Sequence, residues 1–238
     1  MRRYLGKTTR YVLRPWLAGQ ILKMKSSGDH PQEWVKMVFD VFQNGFSSHL
    51  RWSIRPSQVP EEITSLVDIV KILAPSIVLE IGTASGGTLF LWTKTASPDA
   101  MIISIDLPGG AFGGGYPKER IPYYKSFASD NQKISLLRED SHSLVTLDEV
   151  KGIIDNRKVD FLFIDGDHSY EGVKKDFEMY SGLVRKGGIV AFHDICHHVG
   201  VATCNVELFW SEIKNSYKFK EIIKDSNQEW AGIGVLYM

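Results

Sequence analysis

From Ile77 to the C-terminus, the apolar positions follow two alternating rhythms. Short, nearly unbroken apolar runs fall at 77–81, 101–106, 134–138, 159–165 and 188–193. Runs of that kind are strands covered on both faces, as in a parallel sheet. Between them the spacing becomes helical. Val173, Phe177, Tyr180 and Val184 fall on one side of a helix and Lys174, Lys175 and Glu178 on the other. Strands alternating with helices predict a parallel sheet with right-handed crossovers. A helical stretch around 201–215 precedes two further strands at 217–224 and 232–238, the last placed to pair antiparallel. The expected fold class is α/β: a doubly wound, mostly parallel seven-stranded sheet.

The first 50 residues read differently, as a helical arm in front of a domain spanning 51–238. Trp34, Val35, Val38, Phe39 and Phe42 give helical apolar spacing over 32–42, and 26–29 is a break. A second helix starts near Pro60, whose fixed φ suits a first turn, with Glu61 and Glu62 at the positive end of the dipole. Ile63, Leu66, Val67, Val70 and Leu73 form its apolar face, ended by Pro75. The aromatic residues Trp16, Trp34, Phe39 and Phe42 suit an arm that covers the domain or a partner subunit of a homo-oligomer.

The 238 residues carry 28 basic and 28 acidic groups, a net charge of zero, so no whole-protein field attracts nucleic acid. Residues 1–28 hold seven Lys and Arg with no Asp or Glu; the remainder has 21 basic against 28 acidic groups. That basic arm is read as solvated or oligomer-facing, with contact to a membrane surface or a phosphorylated substrate as the other reading. No run reaches the roughly 18–20 apolar residues of a membrane span. Two cysteines argue against a disulfide framework and fit a reducing, cytoplasmic setting.

The densest chemistry is Val78-Leu79-Glu80-Ile81-Gly82-Thr83-Ala84-Ser85-Gly86-Gly87, a strand, a glycine-rich turn and a helix start. That order places backbone N–H groups and a carboxylate at the carboxyl end of the sheet, where open α/β sheets bind ligands. As a dinucleotide fingerprint it is incomplete, because Ala84 takes the middle glycine position. A carboxylate just before the turn is awkward beside a pyrophosphate and suits an amino group and a sulfonium. Asp106, ending the second strand, can accept both ribose hydroxyls of any adenosine nucleoside. Asp140 and Ser141 follow the third strand, with Ser141 also readable as a helix N-cap.

A second cluster, Asp165-Gly166-Asp167-His168, ends an apolar strand, and His193-Asp194 ends the next. Neighbouring parallel strands lie about 4.8 Å apart, so Asp165 and Asp194 can converge on one point beside the cofactor crevice. Carboxylates with an imidazole suit Mg²⁺ or a similar divalent ion. The glycine-rich run 107–117 lacks the Lys-Ser/Thr of a P-loop and reads as a substrate-side loop with Phe112, Tyr116 and Lys118 as contacts. Cys196, His197, His198 and Cys204 match no common zinc spacing and read as loop residues.

Taken together, Glu80-x-Gly82-x-x-x-Gly86, Asp106, the run Ile164 to His168 and Gly187-Gly188 with His193-Asp194 resemble the class I S-adenosylmethionine-dependent methyltransferases. The resemblance is to the small-molecule O-methyltransferase and cephalosporin hydroxylase-like group and covers roughly residues 57–238. It implies a Rossmann-like methyltransferase fold. It also implies S-adenosylmethionine held by Glu80, Gly82, Ser85, Gly86, Asp106, Asp140 and Ser141, and a metal on Asp165, His193 and Asp194. His193 departs from the group, which usually has a carboxylate there. The implied reaction is methylation of a small-molecule or sugar hydroxyl, with Asp165 or His168 as base. An NAD-dependent oxidoreductase and a non-catalytic nucleoside-binding protein of the same fold are the competing expectations.

Overall fold

A computed structural model describes residues 28, 30–40, 54–110, 114–129 and 131–238. Seven strands, β1 (Ile77–Ile81), β2 (Met101–Ile105), β3 (Lys133–Leu137), β4 (Val159–Ile164), β5 (Val184–His193), β6 (Lys218–Ile222) and β7 (Ile233–Tyr237), form one sheet. Their order is β3-β2-β1-β4-β5-β7-β6. The first five strands pair in parallel, and β7 lies antiparallel between β5 and β6. The order reverses between β1 and β4, which opens a crevice above their carboxyl ends.

The period-2 alternation of the strands splits the core into two layers. On one face Val78, Ile102, Phe161 and Phe163 pack under α1 (Pro31–Asp40), α2 (Pro60–Leu73), α3 (Gly87–Thr95) and α4 (Ile121–Lys125). On the other, Leu79, Ile103, Leu162 and Phe192 pack under α5 (Leu144–Ile154), α6 (Tyr170–Tyr180) and α7 (Val206–Ile213). Trp92 of α3 meets Phe161 and Phe163 edge-on, with ring centroids 4.9 and 5.2 Å apart. Every residue of β1 is buried, as its central position requires, whereas edge strand β6 is exposed at four of its five positions.

The expected helix at 32–42 is α1. Its Trp34, Val35, Val38 and Phe39 are buried in the same core as Leu66 and Phe90. It is therefore part of the domain's packing, although the expected boundary lay after it. The basic segment before it, with Trp16, and Phe42 after it lie outside the described residues. β5 begins at Val184, four residues before the expected start. The extension includes Gly187 at φ +75° and a register shift against β4 between Val159 and Phe161. No helix among the described residues is long and apolar enough to cross a membrane.

Candidate functional site

The turn after β1 is held by close backbone approaches. Gly82 N–H donates to Ile105 O at 2.8 Å, and Asp165 N–H donates to Ile81 O at 2.8 Å. Gly82 has φ +101°, and a Cβ there would sit 2.0 Å from Asp165 O. Glycine is required because β1 and β4 leave no room for a side chain. Gly86, at φ +82°, precedes α3, and a Cβ on it would strike the Tyr124 ring at 2.7 Å.

The resulting crevice is lined by Gly82, Asp106, Asp140, Ser141, His142 and Asp167, with Leu107, Gly110 and Gly114 along one rim. Asp106 Oδ2 accepts from Ala84 N–H and Oδ1 from Gly115 N–H, both at 2.6 Å. Burial raises its pKa against these hydrogen bonds. Asp140 Oδ1 accepts from His142 N–H at 2.8 Å, which shapes the turn after β3. The N-cap of α5 is Ser143, whose hydroxyl accepts from Val145 N–H, so Ser141 does not serve as that cap. The ring of His142 rests on Gly172 O at 3.1 Å and on buried Asp176 at 3.3 Å.

Three of the expected cofactor residues stand outside the described crevice lining. Ser85 presents its carbonyl to Arg120 Nη1 at 3.4 Å, and Gly86 is packed on Tyr124. Glu80 is fully buried. As an even-numbered residue of β1 it points to the α3 face, where Trp92 Nε1 donates to Oε1 at 2.8 Å and Ser104 Oγ donates to Oε2 at 2.5 Å. Burial pushes its pKa up to about 7 despite those donors. In this structure the carboxylate ties β1, β2 and α3 together beneath the turn.

The second cluster does converge. His193 Nδ1 lies 3.2 Å from Asp165 Oδ1 and 3.0 Å from Asp194 Oδ1. His168 Nδ1 pairs with Asp194 Oδ2 at 2.6 Å, and His168 Nε2 stands 3.7 Å from Asp165. Asp194 adopts the left-handed backbone, φ +64°, a costly choice that turns its carboxylate into the group. Burial opposes a charged His168, but the Asp194 hydrogen bond, Cys204 and the nearby carboxylates outweigh it and push its pKa up to about 10. Burial likewise raises Asp194, yet His193, His168 and His198 hold it below the usual carboxylate range. His193 is 4% exposed, and neither ring nitrogen makes a hydrogen bond among the described residues. A buried imidazole left in that state beside two carboxylates fits a metal ligand, and ligand atoms of Asp165, His193 and Asp194 all lie within 4.8 Å of one another.

Sequence reasoning missed Gln58 and read two further neighbours, His198 and Cys204, only as loop residues. Gln58 Nε2 donates to Asp165 Oδ2 at 2.6 Å, from a segment with no motif around it. His198 Nε2 lies 3.0 Å from Asp194 Oδ1 and also accepts from Ala231 N–H at 3.0 Å. Cys204 forms a second close group with His168 and Asp194. The four-residue spacing of Asp194 and His198 is a signal that could have found one of them. His197 instead pairs with Glu207 at 2.6 Å, and Cys196 stands by Gln228. Tyr116 of the glycine-rich run is buried against Tyr124, Lys118 is exposed, and Phe112 lies outside the described residues.

Residues 79–195 match the family of methyltransferase domains. An uncharacterized protein of Acanthamoeba polyphaga mimivirus is 33% identical over 116 residues, 49% of this chain and 50% of the relative. One from Sinorhizobium fredii is 28% identical over 151 residues, 61% of this chain and 16% of the relative. The chain thus spans half or less of the length of these curated relatives. Among solved structures, an O-methyltransferase from Bacillus cereus in complex with SAH superposes with a TM-score of 0.58 at 15% identity, over 86% of this chain and 90% of that one. The O-methyltransferase TomG of Streptomyces achromogenes, involved in tomaymycin synthesis and solved with SAM, gives 0.53 at 15% identity, over 89% and 91%. At that identity the superpositions establish a shared fold.

Proposed function

We propose that the protein transfers a methyl group from S-adenosylmethionine to a small-molecule hydroxyl, a reading supported by the match of residues 79–195 to methyltransferase domains and by their Rossmann-like sheet. The carrying observation is the placement of the Asp165–His168–His193–Asp194 cluster at the ends of β4 and β5, next to the crevice lined by Gly82, Asp106, Asp140 and Ser141. A cofactor crevice and a proton-handling centre side by side are what methylation of an oxygen requires. The Bacillus cereus and Streptomyces structures, with SAH and SAM bound to the same fold, support the cofactor. A sugar is the acceptor we favour among small molecules. Two free cysteines fit a cytoplasmic setting for this chemistry.

In this reading Asp106 accepts the ribose hydroxyls and Asp140 and Ser141 meet the adenine, supported by their shared lining of the crevice. An aliphatic hydroxyl is too weak an acid to form an alkoxide at neutral pH, so the site must stabilise the negative charge and take the proton. S-adenosylmethionine, when bound, supplies an electrophilic methyl, and a divalent ion on Asp165, His193 and Asp194, Mg²⁺ or a similar one, would acidify the hydroxyl. Asp194 orients the His168 ring through Nδ1. His168 Nε2 faces Asp165 and is the atom that would take the proton. That role needs a neutral imidazole, whereas the Asp194 hydrogen bond and the charges of Asp165 and Asp194 favour the protonated ring over its burial. With Asp165 and Asp194 engaged as ligands their charge would be offset, and His168 would be released to the neutral form. Much of the acceleration then comes from holding hydroxyl and methyl in line.

The test is release of S-adenosylhomocysteine in the presence of hydroxyl acceptors, sugars first, before and after chelation. Chelator-sensitive turnover with at least one acceptor supports the reading. Turnover that survives chelation would leave His168 as a metal-free base and remove the metal from it.

A further inference from the structure

The donor set at the centre is more specific than a divalent cation in general. Asp165 and Asp194 contribute oxygens, but the third ligand is nitrogen, and that nitrogen is enclosed: His193 is 4% exposed, on the last residue of a central strand. It cannot swing aside to let water take its place. The spacing also matters. Cis ligands at bond lengths of about 2.1 Å lie about 3.0 Å apart on an octahedral ion and about 3.4 Å apart on a tetrahedral one. His193 Nδ1 already stands 3.0 and 3.2 Å from the two carboxylate oxygens. Calcium, with bonds of about 2.3–2.6 Å, needs a wider set. Magnesium fits the size but favours oxygen and water, whereas imidazole suits iron, cobalt, nickel and zinc.

An imidazolium bridging two carboxylates would produce the same proximity. In such a bridge a single N–H would have to serve two carboxylate oxygens, 3.0 and 3.2 Å from the same Nδ1, and it is aligned with neither, although the charges of both raise the pKa of the ring against its burial. Gln58 Nε2 meanwhile satisfies Asp165 Oδ2, and His168 satisfies Asp194 Oδ2, so both Oδ1 atoms stand near His193, with His198 Nε2 also 3.0 Å from that of Asp194.

We infer that Asp165, His193 and Asp194 select a divalent transition ion of the iron-to-zinc series over Mg²⁺ and Ca²⁺, with His193 Nδ1 as the selecting ligand. The inference rests on the metal-assisted reading of the site and adds the class of metal.

The experiment uses the full chain, stripped by chelation and titrated with Co²⁺ alone, Mg²⁺ alone, and Co²⁺ in competition with Mg²⁺, following the visible absorption of bound Co²⁺. Wild type is expected to bind one Co²⁺ at least about 100-fold more tightly than Mg²⁺. Most sites prefer Co²⁺ to some degree, so the decisive comparison is His193→Asp. That variant should lower the Co²⁺ to Mg²⁺ preference tenfold or more and shift the Co²⁺ spectrum as nitrogen gives way to oxygen. His193→Gln, neutral and without the ring, guards against a variant that fails to fold and should lose Co²⁺ without gaining Mg²⁺. Thermal unfolding confirms that each variant is native. An unchanged preference and spectrum in both variants would overturn the inference while leaving metal assistance standing. Failure of wild type to bind either ion would overturn both.

Discussion

Glu80 offers the clearest test of how this site is built, because its carboxylate is fully buried with no cation hydrogen-bonded to it. A rise in pKa from 4.5 to about 7, at about 1.4 kcal/mol for each pH unit, makes the ionised form about 3 kcal/mol less favourable in the folded protein than in the unfolded chain. Because the folded-state pKa is the higher one, the stability tied to protonated Glu80 is fully present below pH 4.5. It is lost as pH rises through about 7. Glu80→Gln keeps an acceptor for Trp92 Nε1, and Ser104 can reverse its hydroxyl toward the new amide because Thr83 Oγ1, 2.5 Å away, can donate or accept. The variant should therefore match wild type within about 1 kcal/mol at pH 4.5. At pH 8 it should be more stable than wild type by about 3 kcal/mol. Urea unfolding of both proteins at several pH values between 4.5 and 8 measures this, and contributions of the other ionisable groups cancel in the difference. Parallel pH profiles would refute the claim that Glu80 is a desolvated structural carboxylate. A cofactor affinity that collapses in Glu80→Gln would return it to the binding site.

Asp106→Ala should weaken S-adenosylmethionine binding by about 1.5–3 kcal/mol, the scale of hydrogen bonds to a charged group, as read by calorimetry. Gly82→Ala should destabilise the protein by at least about 1–3 kcal/mol, since strain at φ +101° is joined by a Cβ 2.0 Å from Asp165 O; an unchanged denaturant midpoint would show that β1 and β4 are not this close. Asp194→Ala should abolish methyl transfer while leaving S-adenosylmethionine affinity within about threefold, because the carboxylate orients His168 and stands apart from the crevice lining. Equal loss of both would mean that the two halves of the site fold together.

Strands and helices from Ile77 onward were legible because a parallel sheet covered on both faces leaves unbroken apolar runs. The start of β5 was not, since Val184-Arg185-Lys186-Gly187 reads as a turn until the partner strand supplies the ladder. Asp165, His168, His193 and Asp194 were visible because each sits at or just after a strand end, where topology fixes their meeting. Gln58, His198 and Cys204 reach the same point from loops, and only tertiary folding brings them there. Glu80 was legible as a strand residue, but its hydrogen bonds to Trp92 and Ser104 were not. Which face an even-numbered residue of β1 presents depends on where α3 packs, and Trp92 decides it.

The central claim is that the crevice above β1 and β4 takes S-adenosylmethionine. Calorimetric titration of the 238-residue chain with S-adenosylmethionine, S-adenosylhomocysteine and NADH tests it most directly. One S-adenosylmethionine and one S-adenosylhomocysteine site per chain, both weakened in Asp106→Ala, with no heat from NADH, is the expected result. Tight binding of NADH with none of either sulfur nucleoside would contradict the account and restore the oxidoreductase reading.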